Sequence, residues 1–163
     1  MVKQRISALL VHHPADPMRA LQLTLENVSI HTQRVQTLQQ VARVLAGPDP
    51  PQLVFTADKL ADGTWAVVVD LAARAHLPVN VIVVSRVVDT RLYLEVIEGG
   101  AFDFIAAPLA SSDIAYVARC AADNVLERRK SLTVARQSAQ GALLPPFPQS
   151  GPQVAEGPKA KVM

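Results

Sequence analysis

This chain has a single cysteine and almost no net charge. Cys120 is the single cysteine among 163 residues, so no internal disulfide can form. Lys and Arg number 16 against 14 Asp and Glu, which leaves a formal charge of only +2, and the basic residues are scattered except at Arg128-Arg129-Lys130. Such a small and dispersed positive charge does not favour binding to a polyanion such as a nucleic acid. We therefore expect no nucleic-acid binding.

Long apolar runs are missing as well. No stretch approaches the roughly 18 residues that a membrane span needs, and no apolar run follows a basic start, so we expect neither a membrane association nor a signal peptide. These absences favour a cytoplasmic protein. Half of the residues are hydrophobic, however, and 163 residues suffice for one domain with a sizeable core. This composition excludes a fully disordered chain.

Short apolar runs alternate with segments of helical spacing. Residues 5–11 are apolar up to His12-His13-Pro14, and residues 79–84 form a β-branched run apart from Asn80. Such runs are typical of parallel strands buried on both faces. Strands are predicted at residues 5–11, 29–32, 53–57, 79–84 and 102–105. Helices are predicted at residues 16–27, 38–45, 64–76 and 89–99, and from about residue 113 onward.

Five strand–helix units of this kind predict an α/β fold with a parallel sheet between two layers of helices, a three-layer αβα sandwich. In such folds, ligands bind beyond the carboxyl ends of the strands. The domain is predicted to span residues 1–130, and the apolar pattern of its last helix continues toward residue 136. Residues 137–163 hold five of the twelve prolines and are expected to be a disordered tail, with no output domain. Its segment Leu143–Pro148 fits either a docking peptide or a plain linker.

Two segments indicate a family. The stretch "LADG" after the third strand and "GGAFDFIAAP" around the fifth, together with the strand-end positions, resemble the receiver domain of two-component response regulators over roughly residues 4–130. The resemblance implies a flavodoxin-like (CheY-like) topology with strand order 2-1-3-4-5. It also implies a cis peptide at Ala107-Pro108 and a switch aromatic at Phe104, although an aromatic on a short strand also fits a plain core position.

The resemblance further implies a set of reactive residues that this chain lacks. In the family, an acidic pair after strand one holds Mg²⁺, an Asp ending strand three accepts the phosphoryl group, a Ser or Thr ends strand four, and a Lys precedes the proline after strand five. Those positions fall here on His12 and His13, Ala57, Ser85 and Ala107. Mg²⁺ prefers oxygen ligands to imidazoles. We therefore expect a degenerate pseudo-receiver that is not an enzyme and has no cofactor or metal.

Three alternatives remain open. Asp58 could serve as the phosphoacceptor if a slip or bulge at the end of the third strand turned it toward the pocket. His12 and His13 could bind a transition metal with Asp16 or Asp58, although loop histidines without metal fit the spacing better. Finally, the strand-end crevice, being less charged than in the family, could bind a small ligand. Ser85 lacks the surroundings of a hydrolase nucleophile.

The expected function is that of a signalling module which binds a protein partner without phosphorylation. In the family, helix four, strand five and helix five form the face that meets partners. The partner is expected to be another signalling protein or a second copy of the chain, which would give a homodimer. The candidate contacts on this face are Arg91, Tyr93, Glu95, Tyr116, Arg119 and Asp123.

Overall fold

The structure, a computed structural model, describes residues 4–13, 18–108 and 110–142. Its strands are β1 (Ile6–Val11), β2 (Ile30–Val35), β3 (Leu53–Ala57), β4 (Lys59–Leu60), β5 (Gly63–Thr64), β6 (Asn80–Ser85) and β7 (Asp103–Ala106). Its helices are α1 (Arg19–Asn27), α2 (Leu38–Leu45), α3 (Trp65–Ala73), α4 (Thr90–Glu98) and α5 (Ser111–Ala142). None of the helices within the described ranges is long and apolar enough to cross a membrane.

Five of the strands form one parallel sheet in the order β2-β1-β3-β6-β7. Counted without the short β4–β5 hairpin, this is the predicted order 2-1-3-4-5, and the predicted α/β fold is confirmed. The hairpin pairs Lys59 with Thr64 and Leu60 with Gly63 in antiparallel fashion. It was not predicted, because strands of two residues carry no measurable periodicity.

The sheet is covered on both faces, as predicted. On one face, the side chains of Leu10, Phe55 and Ile82 pack in a buried cluster with residues of α1 and α5. On the other face, the alternate residues Leu9, Val54 and Val83 belong to a second buried cluster with residues of α2, α3 and α4. This division follows from the period of two along a strand, which sends successive side chains to opposite faces.

Side chains at the helix starts fix where the chain turns. Thr37 and Gln40 form a reciprocal capping box at the start of α2, and the carboxylate of Asp89 accepts from two backbone N–H groups of α4. Thr64 directly precedes α3, but its side chain makes no capping hydrogen bond. The predicted start of α1 at residue 16 lies outside the described residues.

The end of α5 corrects the predicted boundary of the tail. One compact unit of the chain ends at Ser131 and a second begins at Leu132. Helix α5 itself is continuous to Ala142, so residues 137–142 are helical and the expected start of the tail at residue 137 was wrong. The nearest proline after α5 is Pro145, and a single glycine such as Gly141 costs a helix only about 1 kcal/mol. The remaining tail, residues 143–163, lies outside the described residues.

Candidate functional site

The residues predicted at the strand ends meet at one edge of the sheet. His12 directly follows β1, Ala57 ends β3, Ser85 ends β6, and Ala107 directly follows β7. The strand register places Ala57 beside Val84, and Ser85 beside Ala106. Because these strands are parallel, their carboxyl ends open on the same side, which is where α/β folds place their ligands.

A cavity of about 720 Å³ lies at this edge. Ala57, Asp58, Ser85, Ala107 and His13 line it, so five of the residues singled out from the sequence border one space. Pro108, whose peptide bond with Ala107 is cis as predicted, lines it too. The other lining residues are Met18, Ala20, Lys59, Leu60, Ala61, Val84, Arg86 and Val87.

The two adjacent histidines have different surroundings. His12 is buried, with 7% of its surface exposed, whereas His13 is exposed and lines the cavity. Nδ1 of His12 lies 2.8 Å from the carbonyl oxygen of His13, and because a carbonyl can only accept, Nδ1 carries the proton. Nε2 of His12 is buried and has no hydrogen-bond partner among the described residues.

A metal site at the histidines gains no support from the geometry. Within the described ranges, no three His, Cys, Asp or Glu side chains lie close enough together to hold a metal ion. Asp16, which the metal hypothesis also invoked, lies outside these ranges. His12 and Asp58 therefore do not converge with a third described ligand on a common point, which a tetrahedral site would require.

Asp58 borders the cavity without any irregularity in β3. The strand stays in register with β6 up to the Ala57–Val84 pair, and the half-buried Asp58 follows immediately. The backbone carbonyl of Asp58 accepts from the N–H of Trp65, which ties this turn to the start of α3. Asp58 thus lines the cavity from the turn after β3, and its use as a phosphoacceptor stays a prediction. Successive side chains of a strand point to opposite faces of the sheet, but a side chain in the turn after the strand does not follow this rule.

Ser85 is the one hydroxyl of the predicted set, and it is almost fully buried at 2% exposure. Its Oγ accepts a hydrogen bond of 3.3 Å from the backbone N–H of Val87, while its carbonyl oxygen accepts from the N–H of Ala107. Since the Val87 bond uses Oγ as an acceptor, the hydroxyl proton remains available as a donor. Ser85 thus joins the ends of β6 and β7 and offers one polar group at the cavity.

Several cavity residues were not predicted as site residues. Lys59 and Leu60 are held at its border by the β4–β5 hairpin, and Arg86 and Val87 come from the loop after β6. Among the described lining residues, Lys59 and Arg86 are basic and Asp58 is acidic. The only signal in the sequence was the position of these residues directly beside the strand ends.

The predicted interaction face is exposed in the structure. The side chains of Arg91 and Glu95 form an ion pair of 3.9 Å and are 91% and 60% exposed. The rings of Tyr93 and the half-buried Phe104 meet edge to face, with centroids 5.9 Å apart. The predicted contacts on α5 that are also exposed are Tyr116, Arg119 and Asp123.

Comparisons with solved structures identify the fold. The structure is similar to the signal receiver domain of a putative Luxo repressor protein from Vibrio parahaemolyticus (TM-score 0.69, 19% identity, covering 80% of this chain and 98% of that one). The fold is that of a receiver domain. The signal receiver domain of an HD domain-containing protein from Pseudomonas fluorescens is also similar, with a TM-score of 0.70 and 18% identity over 80% of this chain and 96% of that one. A CheY-like receiver domain from Methanospirillum hungatei has a TM-score of 0.66 and 14% identity over 76% of this chain and 98% of that one. No family model and no curated protein matches the chain.

Proposed function

We propose that this chain is a pseudo-receiver of two-component signal transduction, which binds a protein partner independently of phosphorylation and works in the cytoplasm. The observation that carries the proposal is the composition of the strand ends. His12 and His13 follow β1, Ala57 ends β3 and Ala107 follows β7. These strand-end positions support the assignment, by family resemblance, of these residues to the metal-binding pair, the phosphoacceptor and the lysine.

Phosphoryl transfer depends on the positioning and neutralisation of charge around the transferred group. A methyl group at residue 57 cannot accept a phosphoryl group, and a methyl group at residue 107 cannot neutralise one. Imidazoles at residues 12 and 13 are poor ligands for Mg²⁺, which prefers oxygen. Because these groups act together, their joint absence supports a domain without the family's chemistry.

The face formed by α4, β7 and α5 is the proposed partner surface. Tyr93 and Tyr116 are 42% and 71% exposed, and Leu94 and Ile97 add apolar area on the same helix as Tyr93. Exposed tyrosines surrounded by charged side chains such as Arg91 and Glu95 have the composition of protein interfaces. The partner is proposed to be a signalling protein or a second copy of the chain.

The test of phosphorylation independence is the intact mass of the protein after incubation with acetyl phosphate and Mg²⁺. We expect no phosphoryl adduct on the wild type, and partner binding or self-association that is unchanged by this treatment. Tyr93→Ala should weaken that association, whereas Tyr116→Phe, which keeps the ring, should affect it less. An adduct on the wild type would contradict the proposal.

Asp58 is the rival phosphoacceptor, because it borders the cavity. If it accepted the phosphoryl group, the adduct would disappear in Asp58→Asn and remain in Asp62→Asn. Asp62 is the matched control, since its carboxylate accepts from the backbone N–H of Leu38 and does not line the cavity. We expect neither variant to differ from the wild type.

A further inference from the structure

The cavity at the strand ends has the size and the walls of a ligand site. Its volume of about 720 Å³ falls within the range of about 300–1,000 Å³ that is usual for small-molecule pockets. Ala57, Val84 and Ala107 contribute from the ends of three neighbouring strands, and Leu60 and Val87 from the loops. These side chains have no polar atoms, so most of the wall favours an apolar body over a hydrated ion.

Two polar groups of the described cavity lining favour an anion. Lys59 forms no ion pair within the described part of the chain and is exposed at the border. Ser85 offers a hydroxyl proton from a buried position, because its Oγ already accepts from Val87. Lys59 is thus a basic group of the described lining whose charge no ion pair within the described residues takes up, and it lies at the same cavity as the Ser85 hydroxyl. A hydroxyl donor and an ammonium group suit a carboxylate.

The elements that carry these groups are well fixed. The antiparallel β4–β5 pairing holds Lys59 and Leu60, and Leu60 packs against both buried clusters of the domain. Ser85 is fixed by the pairing of β6 with β7 and by its bond to the Val87 N–H. A preformed site loses little conformational entropy on binding.

We propose that this cavity binds a monocarboxylate with an apolar body, of the medium-chain fatty-acid class. The carboxylate is held by the Lys59 ammonium and the Ser85 hydroxyl, and the apolar body lies against Ala57, Val84 and Leu60. The proposal goes beyond partner binding at the α4–β7–α5 face, and either property could be lost without the other.

The experiment is a titration of the full-length protein with decanoate, followed by calorimetry and by amide chemical shifts. We expect saturable binding with a dissociation constant below about 1 mM, and shift changes at Ala57, Ser85 and Ala107. Decanol, which has the same chain without the charge, should bind about fivefold more weakly. Inorganic phosphate, which has the charge without the chain, should leave these amides unchanged.

Two variants with matched controls distinguish the contribution of the ligand's carboxylate from that of its apolar chain. Lys59→Gln should weaken decanoate binding about fivefold and leave decanol binding unchanged, since only the ion contact is lost. Ala61→Trp, at an exposed position of the lining, should weaken both ligands by at least about tenfold by filling the cavity. The controls are Lys130→Gln and Ala66→Trp, both exposed and outside the lining.

The proposal is overturned if decanoate causes no saturable change, if both test variants bind it as their controls do, or if inorganic phosphate shifts the same amides. A phosphoryl adduct on the wild type would contradict the proposed function but would leave decanoate binding intact. The two proposals therefore fail on different measurements.

Discussion

Arg129 provides the sharpest test of how the domain is held together. This side chain of α5 is 9% exposed, and its Nε donates to the carbonyl oxygen of Pro78 at 2.9 Å. Its Nη2 donates to the carbonyls of Pro50 and Pro51 at 3.0 and 3.1 Å. Pro51 lies just before β3, and Pro78 lies just before β6. One guanidinium therefore connects α5 to the N-terminal ends of two central strands. Burial lowers the pKa of Arg129, and nearby Asp49 partly opposes this shift.

We expect Arg129→Leu to lower the free energy of unfolding by about 2–4 kcal/mol. Each hydrogen bond from a charged donor contributes about 1.5–3 kcal/mol, but the lost bonds are not additive, and removing a buried cation also removes its desolvation cost. Arg129→Lys should recover part of the loss, because a single ammonium cannot reproduce the planar fork that reaches three carbonyls. Urea unfolding followed by circular dichroism measures both values.

Lys130→Leu is the matched control, since its side chain is exposed next to Arg129 on the same helix. It should change the unfolding free energy by no more than about 0.5 kcal/mol. The reasoning is refuted if Arg129→Leu falls within that margin, or if Arg129→Lys is as stable as the wild type. Equal m-values across the series would show that the change lies in the folded state.

Three further substitutions test other parts of the fold. In Gly99→Ala, the new Cβ would lie 2.7 Å from Cη2 of Trp65, so we expect a loss of about 1–3 kcal/mol and a changed fluorescence of this single tryptophan; unchanged fluorescence would contradict the contact. Thr37→Ala removes the capping box of α2 and should cost about 1 kcal/mol in urea unfolding, whereas Thr37→Ser should not. Asp89→Ala removes the acceptor of the Arg91 and Leu92 N–H groups, so their hydrogen exchange should accelerate more than that of the α2 amides.

The sheet could be predicted because each inner strand is an apolar run. Residues 53–57 are buried throughout, and so are residues 80–85, which is the pattern of strands covered on both faces. β2 gave a weaker signal because it is an edge strand whose middle residues are mostly polar and exposed. Its predicted end at residue 32 was therefore three residues short of Val35.

The position of the cavity could be predicted from the strand ends, but the residues that line it could be predicted only in part. Strand ends converge by topology, so Ala57, Ser85 and Ala107 follow from the fold. The direction of a loop side chain does not follow from spacing, and for that reason Lys59 and Arg86 were not recognised as lining residues. The same limit applies to Asp58, whose approach to the cavity depends on the turn into the β4–β5 hairpin.

The substituted positions are coupled through charge. Ala57 is 6% exposed and Ala107 half-buried, so an ionised group placed alone at either would lose hydration without gaining a partner. Restoring a carboxylate by Ala57→Asp would add a second negative charge near Asp58, with neither Mg²⁺ nor a lysine at residue 107 to balance it. Alanine at both positions avoids burying an ionised side chain without a partner at either strand end. Asp58 lies next to Lys59, a residue of opposite charge that lines the same cavity. The proposed pseudo-receiver role therefore rests on the whole set of strand-end residues, and a single missing aspartate would have been weaker support for it.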